Sequence, residues 1–254
     1  MIYIGIPVYN EAPTIGVLLW RIRKVFQGFA RDYELLVYDD ASTDATPDVL
    51  QPYTEVLPLT VMRGETHVGY GAALDALCRT AAQRTRYARR DALITLQGDF
   101  TDQPDHLPEL VKRFEGGADV VVAEQPPATA SPLPVRRLRR LAPWLLRAFV
   151  RMPGITDPFS SFRLYRTSVL RDAQKASMST NGRLVTTEGW AANVELLLRT
   201  TAVARRVETL PLAPRYDLRQ RPSRVRPVAG ALTVYRFGRE ARALRPLPRP
   251  ATSS

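Results

Sequence analysis

The sequence predicts an α/β fold with an open, mostly parallel sheet flanked by helices, and two observations support the prediction. In the first 125 residues, short runs rich in β-branched residues alternate with stretches of helical periodicity. The runs are apolar at successive positions, as is typical of strands covered by helices on both faces of a sheet. The expected strands are Ile2–Ile6, Glu34–Tyr38, Leu57–Met62, Ala92–Leu96 and Asp119–Ala123, and the expected helices are Thr14–Phe26, Thr46–Tyr53, Gly71–Gln83 and Leu107–Phe114.

The second half of the chain has a less regular pattern. Gln125–Pro134 is a loop rich in Pro, Ala, Ser and Thr, and Val135–Met152 is predicted to form a basic amphipathic helix. We expect one domain over residues 1–244 with halves at 1–124 and 125–244, followed by a disordered tail at 245–254. The further expected elements are a loop and strand at Asp157–Tyr165, a helix at Glu188–Arg199, a strand at Ala202–Leu210, a basic loop at Arg215–Arg226 and a helix at Ala229–Leu244.

The composition excludes several classes of protein. With 254 residues, of which 45% are hydrophobic and 24% charged, the chain is long enough to bury a core and too apolar to be disordered. One cysteine, Cys78, and two histidines exclude a disulfide scaffold and a metal centre rich in Cys or His. The net charge of +11 permits a nucleotide, an anionic membrane or a nucleic acid as partner without choosing among them.

The hydropathy pattern bears on location. No apolar run of about 18 residues occurs, so no transmembrane helix is expected. The N-terminus lacks the basic start of a signal peptide, and Asn10 and Glu11 follow soon after it. We therefore expect a cytoplasmic protein, with a peripheral position on the cytoplasmic face of a membrane as a compatible alternative.

Acidic and polar segments follow three of the expected strands. They are Pro7–Glu11, Asp39–Asp44 and Gln97–Asp102, while the glycine signatures of dinucleotide and P-loop sites are absent from the sequence. Because the carboxyl ends of parallel strands meet at one edge of a sheet, the three segments should converge on one crevice. Concentrated carboxylates are costly unless a cation or hydrogen-bond donors arrive with the ligand. A divalent cation that accompanies a diphosphate satisfies this requirement.

These segments resemble the motifs of the family 2 glycosyltransferases, which have the GT-A fold, and in particular the polyprenyl-phosphate branch that is similar to dolichyl-phosphate mannose synthase. The resemblance extends over roughly residues 1–226, with motifs in the order of the family. Two segments match a family motif: Pro7–Glu11 (Pro-x-Tyr-Asn-Glu) and Asp39–Thr46 (Asp-Asp-x-Ser-x-Asp-x-Thr). Three more resemble one: His67–Ala73 (Asn-x-Gly-x-Gly-Ala), Asp157–Arg166 (Asp-x-Thr-Ser-Gly-Phe-Arg-x-Tyr-Arg) and Arg219–Arg224 (Arg-x-x-Gly-x-Ser-Lys, with Pro222 and Arg224 as departures).

The resemblance implies that residues 1–124 bind a nucleoside-diphosphate-sugar, with UDP and GDP donors both open. It implies that Asp40 supports the nucleotide loop and that Gly71 allows a close backbone approach. Asp99 would bind Mg²⁺ or Mn²⁺ through the diphosphate. The residues that would contact the nucleotide-sugar are Pro7, Tyr9, Asn10, Glu11, Asp39, Asp40, Gly71, Gln97, Gly98 and Asp99.

One departure from the family pattern affects the predicted metal site. The family's Asp-x-Asp motif is Gln97-Gly98-Asp99 in this chain, so one negative charge is missing. We expect weaker metal binding unless Asp102, in the same loop, compensates. An inactive relative that only binds nucleotide-sugar therefore remains an alternative.

The residues expected at the acceptor depend on its chemistry. A phosphate acceptor is already anionic and needs cations to hold it; the candidates are Arg163, Arg219, Arg221 and Arg224. A hydroxyl acceptor needs a general base, and Asp157 and Glu188 are the candidates. With Asp99, the catalytic candidates are thus Asp99, Asp157, Arg163 and Glu188. Asp157 before Pro158 is also a common turn signal, and Glu188 also suits the start of a helix.

The sequence as a whole favours one activity. We expect an inverting, metal-dependent glycosyltransferase that moves a sugar from a nucleotide-sugar to a polyprenyl phosphate. The first alternative is a glycosyltransferase for a soluble hydroxyl acceptor, either a glycan or a small molecule. A nucleic-acid partner is not expected, because the basic residues are scattered and no recognition motif is visible. An anionic membrane surface fits the basic stretch Val135–Met152.

Overall fold

The structure, a computed structural model, describes residues 1–126, 133, 136, 137, 146, 152, 154–177, 180–214 and 227–241. The predicted loop Arg215–Arg226 and the tail lie outside the described residues, as does nearly all of the predicted helix Val135–Met152. No helix within the described ranges is long and apolar enough to span a membrane.

Within the described residues, seven strands form one sheet in the order β3-β2-β1-β4-β6-β5-β7. Strand β6 is antiparallel to β4 and β5, whereas the other neighbouring strands pair in parallel. The predicted mostly parallel sheet is therefore confirmed. The strands are β1 (Ile2–Val8), β2 (Tyr33–Asp39), β3 (Leu59–Arg63), β4 (Ala92–Thr95), β5 (Val120–Glu124), β6 (Arg163–Arg166) and β7 (Val207–Pro211).

The helices cover both faces of this sheet. They are α1 (Ala12–Gly28), α2 (Thr46–Val56), α3 (Tyr70–Arg84), α4 (Leu107–Glu115), α5 (Thr167–Ala176), α6 (Trp190–Thr201) and α7 (Pro227–Ala241), with a 3₁₀ turn at Pro104–His106 before α4. Helix α5 was not predicted, because it follows β6 directly and no turn residue marks its start. The predicted strand Ala202–Leu210 begins later, at Val207, since residues 202–206 form the exit from α6.

Alternation along the central strands divides the core into two layers. Leu35 and Val37 of β2 point to one face of the sheet and pack in the same cluster as Leu18 of α1. Leu36, between them, points to the other face and packs with Leu77 of α3. This period of two explains why the central strands read as continuous apolar runs.

The sheet brings two kinds of loop to the edge at which the site forms. Strands β1, β2 and β4 are parallel, so the segments after Val8, Asp39 and Thr95 emerge at the same edge. Strand β6 runs in the opposite direction between β4 and β5, and therefore the segment that precedes it, 157–162, reaches this edge as well. The crevice thus combines residues from both halves of the chain.

Candidate active site

Asn10 connects the loops that follow β1 and β2. Its backbone N–H donates to Ser42 Oγ at 2.9 Å, and its side-chain Oδ1 accepts the N–H of Thr43 at 2.8 Å. Asn10 has a φ of 53°, in the left-handed region that asparagine tolerates better than most residues. The two predicted nucleotide loops are therefore held against each other by backbone and side-chain bonds.

Asp39 presents a buried acceptor at the end of β2. The residue is 0% exposed, and its Oδ1 accepts the N–H of Ser42 at 3.0 Å. Its Oδ2 is buried and has no hydrogen-bond partner among the described residues, while Arg63 Nε lies 3.8 Å away. A buried carboxylate oxygen without a donor costs free energy unless a ligand supplies one. Asp39 is thus suited to accept an N–H from a bound molecule.

Asp40, the next residue, holds the loop that leads into α3. Its two carboxylate oxygens accept the backbone N–H groups of Val68 at 2.7 Å and Gly69 at 2.9 Å. Its Oδ2 also lies 2.9 Å from Nδ1 of His67, whose ring stacks on Tyr9 with centroids 4.1 Å apart. Asp40 thus holds the loop before α3, and its predicted support of the nucleotide loop stays a prediction.

Gln97 and Asp102 belong to one hydrogen-bond network after β4. Gln97 Nε2 donates to Ser161 Oγ at 3.1 Å, and this hydroxyl donates to Asp102 Oδ2 at 3.2 Å. Asp102 Oδ2 also accepts the backbone N–H of Gln97 at 3.1 Å. Asp102 therefore stabilises its own loop and ties it to the segment before β6. Its compensation for Gln97 at a metal stays a prediction.

Asp99 is the buried carboxylate of this loop, with 1% exposure, and its Oδ1 accepts the N–H of Thr101 at 3.1 Å. No group of three or more His, Cys, Asp or Glu side chains in the described part of the chain is arranged to hold a metal ion. A Mg²⁺-like ion that binds with substrate phosphates needs only one or two protein carboxylates. The residues present fit a metal that arrives with a diphosphate.

Asp157 and Glu124 close the loop that precedes β6. Asp157 Oδ2 accepts the N–H of Gln125 at 3.3 Å, and its Oδ1 accepts that of Phe159 at 3.2 Å. Glu124 Oε1 in turn accepts the N–H of Thr156 at 2.6 Å and that of Asp157 at 3.2 Å. Both oxygens of Asp157 thus serve the backbone, which favours the turn interpretation; its role as a base stays a prediction.

Arg163 lies in the interior of the protein, with 1% exposure. Its guanidinium donates to the backbone carbonyls of Pro158, at 2.6 Å, and of Asn193, and so links the loop before β6 to helix α6. The predicted contact between Arg163 and an acceptor phosphate stays a prediction, and the observed burial argues against it. The other predicted phosphate ligands, Arg219, Arg221 and Arg224, lie outside the described residues.

Two buried carboxylates that the sequence did not single out hold the segment before α6. Asp75 of α3 is 1% exposed, and its Oδ1 accepts the N–H groups of Leu184 at 2.7 Å and Val185 at 3.2 Å. Glu195 of α6 is also 1% exposed, and its Oε2 accepts the next two backbone N–H groups, those of Thr186 at 2.8 Å and Thr187 at 2.9 Å. Four consecutive N–H groups are therefore satisfied by side chains. We call residues 184–188 the strap.

The electrostatics of Glu195 favour its charged form. Burial alone would raise the pKa of this carboxyl. The hydrogen bonds from Thr186 and from the Arg199 guanidinium, which lies 2.8 Å away, outweigh burial and lower the pKa below its usual value. Sequence reasoning overlooked both carboxylates because charged residues are common on helices; for Asp75, the apolar neighbours Leu74, Leu77 and Cys78 were a usable signal of burial.

The strap places Glu188 at the first turn of α3. Glu188 Oε2 accepts the backbone N–H of Gly71 at 3.0 Å. A Cβ atom at Gly71 would lie 1.9 Å from the carbonyl oxygen of Thr187, so only glycine permits this approach. The exposed carboxylate of Glu188 thus comes within the same loop cluster as Asp40, although it is distant in sequence.

Comparison with known proteins gives a consistent family. The family model described as Glycosyl transferase family 2 matches residues 3–173. An undecaprenyl-phosphate 4-deoxy-4-formamido-L-arabinose transferase of Pseudomonas fluorescens is 32% identical over 120 residues, which are 46% of this chain and only 33% of that protein. An undecaprenyl-phosphate mannosyltransferase of Micrococcus luteus is 25% identical over 211 residues, 82% of this chain and 80% of that protein. The match thus spans about a third of the first relative and most of the second.

Solved structures share the fold. The glucosyl-3-phosphoglycerate synthase of Mycobacterium tuberculosis, in complex with Mn²⁺, UDP-glucose and phosphoglyceric acid, superposes with a TM-score of 0.66 at 19% identity, covering 96% of this chain and 80% of the other. Staphylococcus aureus TarS 1-349 in complex with UDP-GlcNAc gives 0.55 at 17% identity, covering 84% and 57%. These likenesses confirm the predicted GT-A fold.

Proposed function

Because the chain belongs to glycosyl transferase family 2, we propose that it transfers a sugar from a nucleoside-diphosphate-sugar to a polyprenyl phosphate. The observation that supports the donor most directly is the buried Oδ2 of Asp39, which lacks a hydrogen-bond partner among the described residues. Uracil and guanine both carry a ring N–H that could donate to it. Asp39 therefore supports a nucleotide with either base, and UDP and GDP donors both remain in the proposal.

The proposed donor site uses the loops after β1, β2 and β4. Tyr9 would pack against the base, while Asn10 keeps the two nucleotide loops together through its bonds to Ser42 and Thr43. The predicted donor contact of Gly71 stays part of this proposal, although the strap residue Thr187 lies against its Cα and Glu188 accepts its N–H. Pro7, Glu11, Gln97 and Gly98 complete the proposed donor contacts.

Asp99 would hold a divalent cation together with the donor diphosphate. Such a cation, when bound, neutralises the charge that the leaving nucleoside diphosphate gains. The acceptor oxygen would attack the anomeric carbon directly; a bond to the acceptor forms, the bond to the diphosphate breaks, and the configuration inverts. A phosphate acceptor is already ionised at neutral pH, so this step requires no general base.

The polyprenyl-phosphate acceptor is supported by the relatives. The Pseudomonas and Micrococcus proteins are both named as undecaprenyl-phosphate sugar transferases. The Pseudomonas protein is matched over only 33% of its length, so polyprenyl phosphate as the acceptor of this chain is part of the proposal. Position at a cytoplasmic membrane surface belongs to the same proposal.

A hydroxyl acceptor is the second candidate, and the exposed carboxylate of Glu188 supports it. This side chain reaches the first turn of α3 and is the one predicted base that the structure leaves solvent-exposed. Glu188→Gln separates the two candidates. Transfer to a phosphate should survive the substitution, because no proton has to be removed, whereas transfer to a hydroxyl should fall by about 100-fold or more.

Nucleotide binding and turnover test the proposal as a whole. Purified protein is titrated with UDP and GDP in the presence of Mn²⁺, and release of nucleoside diphosphate from UDP- and GDP-sugars is then measured. Binding of one nucleotide together with release from its sugar supports a transferase. Binding without release under any acceptor condition would support the inactive relative instead, with Gln97 as the suspected cause.

A further inference from the structure

His67 and Tyr9 form a two-ring unit between the loop after β1 and the loop before α3. Their centroids are 4.1 Å apart with an interplanar angle of 30°, a stacked arrangement. Tyr9 follows β1, whereas His67 lies in the loop between β3 and α3, so the stack joins two separate loops of the crevice. Such a contact between loops limits the orientations available to the Tyr9 ring.

The buried carboxylate of Asp40 fixes the position of the His67 ring. Its Nδ1 lies 2.9 Å from Asp40 Oδ2, and the His67 side chain is 52% exposed whereas that of Asp40 is 4% exposed. Asp40 also accepts the N–H groups of Val68 and Gly69, the two residues after His67. Asp40 therefore restrains both the backbone that follows His67 and the Nδ1 atom of its ring, although about half of the side chain is exposed to solvent.

The location of this unit connects it to base recognition. Asp40 N–H donates to the carbonyl of Val8 at 2.9 Å, which places the start of the Asp39–Asp40 loop directly beside the residue before Tyr9. A planar base that reaches Asp39 Oδ2 with its ring N–H would thus lie close to the Tyr9–His67 unit. Stacking is the interaction that an aromatic pair offers to such a base.

We propose that His67 is a positioning residue of the donor site, and that it holds the Tyr9 ring so that the nucleobase stacks against the Tyr9–His67 unit. This inference rests on the proposed function, since it assumes a nucleotide donor. It adds a residue that lies outside the set predicted to contact the nucleotide. His67 stands where the family motif has Asn, which has no ring to stack on Tyr9.

Four substitutions and three probes test the inference. The probes are UDP and GDP with Mn²⁺, and inorganic pyrophosphate with Mn²⁺ serves as a probe without a base; each Kd is measured by calorimetry. His67→Ala and His67→Asn both remove the ring, but Asn retains an N–H that can reach Asp40. His67→Phe keeps a ring without the nitrogen. His106→Ala is the matched control, because His106 pairs with Glu109 of α4, at 3.1 Å, and not with Tyr9 or Asp40.

The expected pattern is specific to the ring and to the base. His67→Ala and His67→Asn should raise the Kd of the nucleotide about 2- to 12-fold, the range that one aromatic pair supplies. His67→Phe should bind the nucleotide more tightly than His67→Ala because it keeps the ring, His106→Ala should remain near wild type, and pyrophosphate should bind all five proteins equally. Equal weakening of pyrophosphate would mean a general structural effect and would overturn the inference.

Two other outcomes also overturn the inference on His67, and only the second of them overturns the proposed function as well. If the wild type binds a nucleotide and His67→Ala binds it equally well or more tightly, the His67 ring does not contribute to binding. The proposed donor site is then unaffected. A wild type that binds neither nucleotide would overturn the proposed function and the inference with it.

Discussion

Glu188 accepts the backbone N–H of Gly71 at 3.0 Å, and the two residues are 117 positions apart in the chain. This bond connects the strap, in the second half of the sequence, to the first turn of α3, in the first half. The strap itself is fixed by Asp75 and Glu195, which together satisfy four consecutive backbone N–H groups. The first turn of α3 is thus covered by a segment whose position depends on two buried carboxylates.

Gly71→Ala tests the packing of the strap against α3. The new Cβ would lie 1.9 Å from the carbonyl oxygen of Thr187, so the backbone of one segment has to move. We expect the free energy of unfolding, measured in urea, to fall by about 1–3 kcal/mol.

Gly28→Ala is the matched control for this experiment, because a Cβ there meets no atom within 4 Å. Its stability should be unchanged or slightly higher than that of wild type. Equal stability of the two alanine variants would contradict the observed contact.

Glu195→Gln tests the electrostatic anchoring of the strap. The pKa of Glu195 is lowered in the folded protein, below its usual value of 4.5, so its ionised form contributes stability above about pH 4.5. This contribution is lost as the pH falls through the folded pKa. The difference in unfolding free energy between wild type and Glu195→Gln should therefore be largest near neutral pH and shrink in acid.

The measurement is urea unfolding at several pH values between 7 and 3. Glu55→Gln, at a solvent-exposed position of α2, is the control and should show no such difference. A wild type and Glu195→Gln variant that differ by the same amount at every pH would exclude the charge of Glu195 as the cause.

Asp39→Asn should separate binding from stability. The amide can keep the acceptor for Ser42 N–H while it replaces the buried Oδ2 with an N–H donor. Nucleotide affinity should fall at least about tenfold, since a hydrogen bond to a charged group is worth roughly 1.5–3 kcal/mol. Calorimetry with UDP and GDP measures the affinity.

The Tm of Asp39→Asn should stay close to that of wild type, which distinguishes a lost ligand contact from a damaged fold. Asp48→Asn, at an exposed position in the first turn of α2, should change neither quantity appreciably. Full nucleotide affinity in Asp39→Asn would remove this residue from the proposed donor site.

Gln97→Asp tests whether the missing charge limits metal binding. The substitution adds a carboxylate two residues before Asp99, and the affinity for Mn²⁺ in the presence of UDP should rise on the order of tenfold. Asp99→Asn should have the opposite effect and abolish metal-dependent turnover. Unchanged affinity for Mn²⁺ in both variants would exclude this loop as the metal site. Ser161→Ala is the control, because it removes the hydrogen bond between Gln97 and Ser161 without adding a carboxylate.

The first half of the fold was predictable from sequence because its elements are local and regular. Strands β1 and β2 and helices α1 and α3 lie within two residues of the predicted bounds, since two-sided apolar runs and helical periods alternate there without interruption. Helix α5 was missed because Thr167 starts it directly after β6. The antiparallel direction of β6 depends on long-range pairing, which no local pattern specifies.

The site was predictable where residues follow the strands and not where buried groups hold loops. Asp39 and Asp40 stand at the end of a parallel strand, so their convergence with the β1 loop could be expected. Arg163 carries a charge that favours a surface role, yet backbone carbonyls from a loop and a helix hold it in the interior. Asp75 and Glu195 contribute to the site only by holding the strap. The spacing of residues in a motif does not reveal hydrogen bonds between distant segments.

Transfer of a labelled sugar to a lipid tests the central claim most directly. Purified protein is incubated with Mn²⁺ and labelled UDP- or GDP-sugars, with and without undecaprenyl phosphate in detergent, and the organic extract is then counted. A polyprenyl-phosphate transferase should move label into the organic phase only when the lipid is present, and Asp99→Asn should abolish this transfer. Nucleoside diphosphate release that is identical with and without lipid, and that leaves no label in the organic phase, would contradict the proposed acceptor.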